Sequence, residues 1–368
     1  MQEDVRHFLR STTGTLVTSG IAVVVVLVLI VYMGSTKNFG LPQYLQLILD
    51  GLRGGAIYAL IALGFVAIFN VTGIINLAQG GFVMLGAMFC VQFYNMPFCA
   101  GMSPALRLAL AAVLAVIVVG LIGAMMERVA IAPARNSPQL TLIIITVGVY
   151  TIMWGAALLL WGAGGYQLPA FSTLDSRDQI LRFGQIVTSD NTYWIFGGVD
   201  LPKGAQFAGV MIKAQSMWIW GTTLIVLLGL AYFFERTVLG KAFRACAVNR
   251  RAAQLVGVSP GRMSLLAFVV AAALGAIAGI VLAPATTPMY DMGLKPGLKG
   301  FVAAIMGGLV SSPGAVAGGI LLGILENVGA GVTKAGFKDM FAFIILILIL
   351  VLRPHGIFGG GAGGVEEE

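Results

Sequence analysis

Residues 217–282 read MWIWGTTLIVLLGLAYFF (217–234), ERTVLGKAFRACAVNRRAAQLVGVSPGRM (235–263) and SLLAFVVAAALGAIAGIVL (264–282). Two uncharged apolar runs flank a segment, Arg236 to Arg262, that carries six basic residues (Arg236, Lys241, Arg244, Arg250, Arg251, Arg262) and no carboxylate. Runs of this length match the roughly 20 residues needed to cross a hydrocarbon core about 30 Å thick. The segment between them must therefore lie outside lipid. Its middle, Arg244 to Pro260, predicts a short amphipathic helix stopped by Gly257 and Pro260. A small helix held at a membrane face is a handle by which another protein can move the spans on either side. The same residues also fit an ordinary positive-inside loop.

The rest of the chain agrees with this frame. With 58% hydrophobic residues, 10% charged residues and a mean hydropathy of +0.95, the 368-residue chain is far more apolar than a soluble domain. Its runs are too continuous for barrel strands, which alternate over about ten positions. Helices satisfy every backbone amide within one segment, so they are the spanning element. The expected fold is all-α: a polytopic integral membrane protein with about ten spanning or half-spanning helices, some broken, to which the family resemblance described below adds a cytoplasmic coupling helix. The net charge of +7 belongs to loops at the lipid bilayer surface, and no basic, aromatic-rich soluble region exists to bind nucleic acid.

Spans are expected at Leu16–Met33, Leu52–Phe69, Ile74–Tyr94, Leu106–Met126, Leu140–Trp161, Met217–Phe234, Ser264–Leu282, Leu298–Val310, Ala315–Gly329 and Met340–Leu352. This divides the chain into an N-terminal segment and first span (1–41), a first half (42–162), an extracytoplasmic loop (163–216), a second half (217–358) containing the coupling loop 236–262, and a flexible acidic tail (359–368). The 22 basic residues split evenly between the two sides, so local density sets the orientation. The acid-free loop, Arg128, Arg135, Arg6 and Arg10 share one side, expected to be cytoplasmic together with both termini. The loop 163–216 mixes Asp175, Asp178, Asp190 and Asp200 with Arg177, Arg182, Lys203 and Lys213. Cys90 and Cys99 flank one external loop and have the option of pairing.

Two connections are uncharged and short: Asn70–Gly73, and Ser311–Gly314 between runs too short to cross a membrane. Such breaks, in corresponding places of two halves, point to a transport pathway, because freed backbone groups must face polar cargo or a cavity. A tight glycine-rich hairpin, including Gly307 and Gly308, is the competing reading. At helical spacing Thr72, Asn76 and Gln79 share a face, and with Asn70 they offer uncharged groups to a small polar solute or to a neighbouring helix. Glu326 is a carboxylate well inside an apolar run, expected to be neutral or to meet a cation such as Arg53 or Lys334, in a packing or gating role. Both histidines, His7 and His355, lie outside the spans, so no proton relay threads the bilayer. No phosphate-binding Gly-x-x-x-x-Gly-Lys-Ser/Thr loop and no metal or nucleophile constellation occurs. The chain is expected to be no enzyme and to hold no cofactor of its own.

The block Gly54–Gly64 through Phe69–Gly80 resembles the first conserved block of the branched-chain amino acid ABC transporter permeases. Ala303–Gly308 to Ser312–Gly319, followed by Leu325–Glu326, resembles a second, and Leu352–Gly359 the usual ending. The basic loop looks like the family's coupling segment, with Arg244-Ala245 and Ala252-Ala253-x-Leu255-x-Gly257 in order. Gln79 stands where the family commonly has His, and Gly81 where it often has a carboxylate.

The resemblance implies a permease subunit of an importer in the bacterial inner membrane, paired with a sister permease as a heterodimer. Two cytoplasmic ATPase subunits would hold ATP and Mg, and an extracytoplasmic solute-binding protein would deliver cargo. It assigns ATPase coupling to Arg244, Asn249, Arg250, Arg251, Ala252, Ala253, Leu255 and Gly257. Asn70, Thr72, Asn76, Gln79, Gly307, Gly308 and Glu326 are pathway candidates. Gly257→Asp or Ala253→Arg would then leave a folded protein uncoupled. Urea or a short amide is the alternative cargo, and an ion-coupled secondary carrier the alternative class. A passive channel would need a carbonyl filter or charged ring, which the sequence does not show.

Overall fold

The computed structural model describes residues 32, 36–37, 39–99, 101–171, 180–187, 192–196, 206–352 and 356–357. The expected first span, both termini, His7, His355 and the acidic tail lie outside the described residues. The helices are α1 (Leu41–Thr72), α2 (Gln79–Tyr94), α3 (Pro104–Met126, continued by a π-helical turn Glu127–Ile131) and α4 (Gln139–Trp161). Strands β1 (Ile180–Val187), β2 (Thr192–Phe196) and β3 (Gln206–Lys213) follow. Then come α5 (Ala214–Arg236), α6 (Val238–Val248), α7 (Arg250–Leu255), α8 (Pro260–Leu282), α9 (Leu294–Gly307), α10 (Ser312–Val332) and α11 (Lys338–Leu352).

Six of these helices, α1, α3, α4, α5, α8 and α10, are long and apolar enough to cross a membrane. This is a multi-pass, helical membrane protein. At 16, 14 and 15 residues, α2, α9 and α11 reach only about 21–24 Å, short of the hydrocarbon core. The expectation of a broken pair at Ser311–Gly314 is half met: α9 is short, but α10 runs for 21 residues.

Helix α1 is the axis of the bundle. Gly55 to Ile68 is buried without interruption, so this helix has no polar face to give a periodic signal. It packs against α8, α9, α10 and, less extensively, α5. Close approach to α10 depends on the absence of side chains: a Cβ on Gly323 would lie 2.3 Å from the Gly55 nitrogen, and one on Gly319 would lie 2.6 Å from that of Ala59. Small residues are what allow helix backbones to meet in lipid, where no hydrophobic force drives helices together. Gly323→Val is therefore expected to force the two axes apart, at about 3 kcal/mol or more. Thermal unfolding in detergent reads the loss. The outer helices carry the lipid-type surface, with Leu121, Leu159, Ile225 and Val351 all exposed.

The connection 163–216, expected to be a loop, contains a small antiparallel sheet of order β2-β1-β3. Phe183 is in register with Phe196 on one side and Val210 on the other. The backbone amide of Met211 in β3 donates to Gln46 Oε1 at 2.9 Å, which docks the sheet on the start of α1. Cys90 is a buried free thiol; the side chain of Cys99, its optional partner, lies outside the described residues.

Candidate functional site

One end of the bundle gathers the α6–α7 segment, the α1–α2 break and the α9–α10 turn. The structure replaces the single amphipathic helix expected between Arg244 and Gly257 with two helices hinged at Asn249. Thr237 caps α6, its hydroxyl accepting from the Gly240 amide at 3.0 Å. Phe243 and Cys246 point into the core, and the Phe243 ring meets Phe234 at 5.4 Å. At Asn249 the backbone turns extended, and the side-chain oxygen accepts from the Arg251 and Ala252 amides at 3.0 Å each. This is an N-cap, which breaks α6 and starts α7 in one residue.

Helix α7 ends in a Schellman motif. The Val258 amide donates to the Ala253 carbonyl and the Gly257 amide to that of Gln254, both at 3.0 Å, with Gly257 at φ +86°. The conformation explains why Gly257 stands where it does: open space surrounds its missing Cβ, so only φ selects glycine. Ala253, one of the coupling candidates, is buried in the core. Ala253→Arg would thus disturb packing as well as any partner contact. The outward surface is formed instead by Val248, Leu255 and Val256, at 87%, 89% and 77% exposure, with Arg244, Arg251 and Ala252 also exposed.

Arg250 is half-buried on the inner side of the hinge. Burial, and next the charge of Arg135, pull its guanidinium below the ordinary value. Arg135 is paired with the buried Glu127 at 2.6 Å, whereas Arg250 has no carboxylate partner among the described residues. This pairing, on the π-helical turn after α3, was missed from the sequence, where Glu127 reads only as a residue near the end of an apolar run.

An open cleft of about 320 Å³ lies against the hinge, lined by Phe69, Asn70, Val71, Thr72, Gly73, Cys246, Ala247, Arg250 and Val310. It brings two pathway candidates, Asn70 and Thr72, beside the coupling candidate Arg250. Asn70 Nδ2 donates to the Val310 carbonyl at 3.1 Å, while its Oδ1 is left without a partner. The Thr72 hydroxyl donates back to the Ile68 carbonyl at 2.7 Å.

The remaining candidates separate. Thr72, Asn76 and Gln79 do not share a helical face, because α1 ends at Thr72 and α2 begins only at Gln79. Gly73 ends α1 in a left-handed cap. Asn76 Oδ1 accepts from the Ala78 amide at 3.1 Å, and Gln79 Nε2 donates to the Ala271 carbonyl of α8 at 2.9 Å. Both side chains are fully buried, with Asn76 Nδ2 and Gln79 Oε1 unpaired. Gly307 packs on Gly314, and Gly308 on Gly356, so both serve close backbone contact at the α9–α10 turn.

Glu326 lies apart, toward the other end of α10, and its cation is neither Arg53 nor Lys334. Lys299 on α9 holds Glu326 Oε1 at 2.5 Å and Asp339 on α11 at 2.7 Å, and Lys295 reaches Asp339 at 3.2 Å. Arg53 instead faces Asp50 at 3.9 Å. Of the two expectations, a neutral carboxyl or one that meets a cation, the structure has the second, with a partner, Lys299, on a helix whose position the sequence does not give.

A helical bundle with interrupted spans, and a hinged, capped basic segment presented at one end, defines a membrane transport permease. The chain belongs to the family described as branched-chain amino acid transport system, permease component, which matches residues 47–350. It is 33% identical over 319 residues to the high-affinity branched-chain amino acid transport system permease protein BraD of Pseudomonas aeruginosa, covering 86% of this chain and 96% of the relative. With the corresponding LivH of Salmonella typhimurium the identity is 31% over 318 residues, again 86% and 96% of the two chains. A probable LivH of Methanocaldococcus jannaschii is 26% identical over 327 residues, 84% of this chain and 91% of the relative. No solved structure matches this chain.

Proposed function

We infer that this chain is the transmembrane permease subunit of an ATP-driven importer for branched-chain or closely related amino acids. It would sit in a bacterial inner membrane, with the basic end and both termini in the cytoplasm. One observation carries the reading. Val248, Leu255 and Val256 stand out from a capped helix pair without a carboxylate, while the opposite side of that pair is built into the core beside the α1–α2 break. An exposed apolar knob ringed by arginines is a surface for a partner rather than for water. Two cytoplasmic ATPase subunits are the proposed partners, and they would hold ATP and Mg.

Movement of the knob reaches the pathway through contacts already described. Cys246, Ala247 and Arg250 line the same cleft as Asn70 and Thr72. A push on α7 would thus shift the end of α1, the axis of the bundle. Coupling requires that the motor contact two states of the permease differently, and the break at Asn249 is where α7 would move relative to α6. A sister permease would complete the pore, and a solute-binding protein would deliver cargo on the side of the β-sheet. The cargo is assigned through the relatives, both BraD and LivH being named for high-affinity branched-chain amino acid transport.

Uptake of leucine by vesicles bearing the whole assembly, with ATP supplied and all ion gradients collapsed, is expected to proceed at its full rate. Dependence on a sodium or proton gradient would convert the reading to a secondary carrier.

A further inference from the structure

We propose that the cleft between the end of α1 and the Cys246–Arg250 hinge is a binding site for an apolar α-amino acid zwitterion, an exit-side site that holds product beside the coupling helices. The inference rests on the amino-acid importer reading and adds a site to it. Three features of the cleft match three parts of such a ligand.

The carboxylate is matched by Arg250, a half-buried guanidinium that has no carboxylate partner among the described residues. A planar guanidinium binds a carboxylate through two parallel hydrogen bonds. The ammonium is matched by the end of α1. There the carbonyls of Asn70, Val71 and Thr72 accept no backbone hydrogen bond among the described residues, and the helix dipole is negative. The side chain is matched by Phe69, Val71, Ala247 and Val310. At about 320 Å³ the cleft falls at the small end of ligand pockets. Neutral urea would leave Arg250 unanswered. A lipid phosphate that carries no amine would answer Arg250 but make no use of the acceptors at the end of α1.

The test uses the complete assembly in nanodiscs, without ATP and without the solute-binding protein, and measures binding of radiolabelled leucine by scintillation proximity. Leucine is expected to bind, and isocaproate and isopentylamine, which lack the ammonium and the carboxylate respectively, to compete at least about tenfold more weakly. Arg250→Gln is expected to weaken leucine binding about tenfold or more, and Arg250→Lys to recover part of it. Recovery by Lys distinguishes a ligand contact from a folding defect. Absence of leucine binding, equal binding in Arg250→Gln, or competition by isocaproate as strong as by leucine itself would each overturn the site. ATP-driven uptake by the same assembly, with its binding protein restored, separates the two levels. Leucine uptake without leucine binding at the cleft defeats only this site, whereas uptake of urea with none of leucine defeats the importer reading beneath it.

Discussion

Leu255→Asp is expected to cut ATP-driven uptake below about a tenth of the parent level while leaving the protein inserted and folded. The side chain is 89% exposed and projects from the last turn of α7, so its replacement removes no core contact. Surface changes of that kind shift stability by no more than about 0.5 kcal/mol. A docked apolar anchor, in contrast, contributes about 2 kcal/mol or more to an interface, roughly a thirtyfold change in affinity. The new carboxylate would also be the first acid in the segment Arg236–Arg262, where it would draw the neighbouring arginines away from a partner. Copurification of the ATPase subunits and vesicle uptake give the two readings, and Leu255→Met is expected to preserve both. Full uptake by a well-inserted Leu255→Asp variant would remove α7 from the coupling path. Leu255 is a better probe than Gly257, because any side chain at φ +86° is strained in addition to whatever it does to a partner.

Lys299→Met should be the most destabilising of the single substitutions considered. It strands Glu326, which is completely buried and contacts Lys299 at 2.5 Å. Breaking a buried pair from one side costs about 3–5 kcal/mol, because the surviving charge keeps its desolvation cost and loses its direct ion-pair partner. Asp339 suffers less, since it is 44% exposed and retains Lys295 at 3.2 Å. The double variant Lys299→Met/Glu326→Leu removes both charges and is expected to regain most of the lost stability. Unfolding midpoints of the parent, the two single variants and the double variant close the cycle. If the double variant were as unstable as the sum of the singles, the two residues would not be coupled. Uptake by a stable double variant then separates the two roles open to the pair: transport is retained if it only packs α9 against α10, and lost if it gates.

Much of the architecture was legible in the chain because lipid imposes a simple rule. Apolar runs of spanning length must be helices, and they appeared as helices within a few residues of the expected bounds from α3 to α5 and at α8. Starts and stops were legible where one residue dictates them. Gly257 ends α7 as read, through its left-handed backbone, whereas Pro260, read as a second stop, instead opens the first turn of α8. The sheet in 180–213 left a signal that was not used: Ile180-Leu181-Arg182-Phe183 and Tyr193-Trp194-Ile195-Phe196 are rich in strand formers. In the context of so long a connection it read only as a loop.

Other errors arose where burial on all sides erases periodicity. Thr72, Asn76 and Gln79 have helical spacing, yet the chain between them is unwound, and the spacing cannot reveal it. Asn249 divides one expected helix into two because its side chain caps the amides of Arg251 and Ala252, a local competition that hydrophobic pattern does not register. The burial of Ala253, a coupling candidate, likewise follows from the turn of α7 and not from its spacing.

By itself the sequence determined that this protein is a helical membrane permease with a basic segment held outside lipid, and it singled out Glu326 as a carboxylate that needs a partner. Transfer energy depends on composition and run length, so no partner helix is required to read these features. Which cation meets Glu326, which side of α7 faces outward, and that Arg250 shares a cleft with Asn70 were decided by tertiary structure alone. Each depends on how far apart helices settle and how they rotate about their axes, and those are fixed by glycine contacts and side-chain packing between residues remote in the chain.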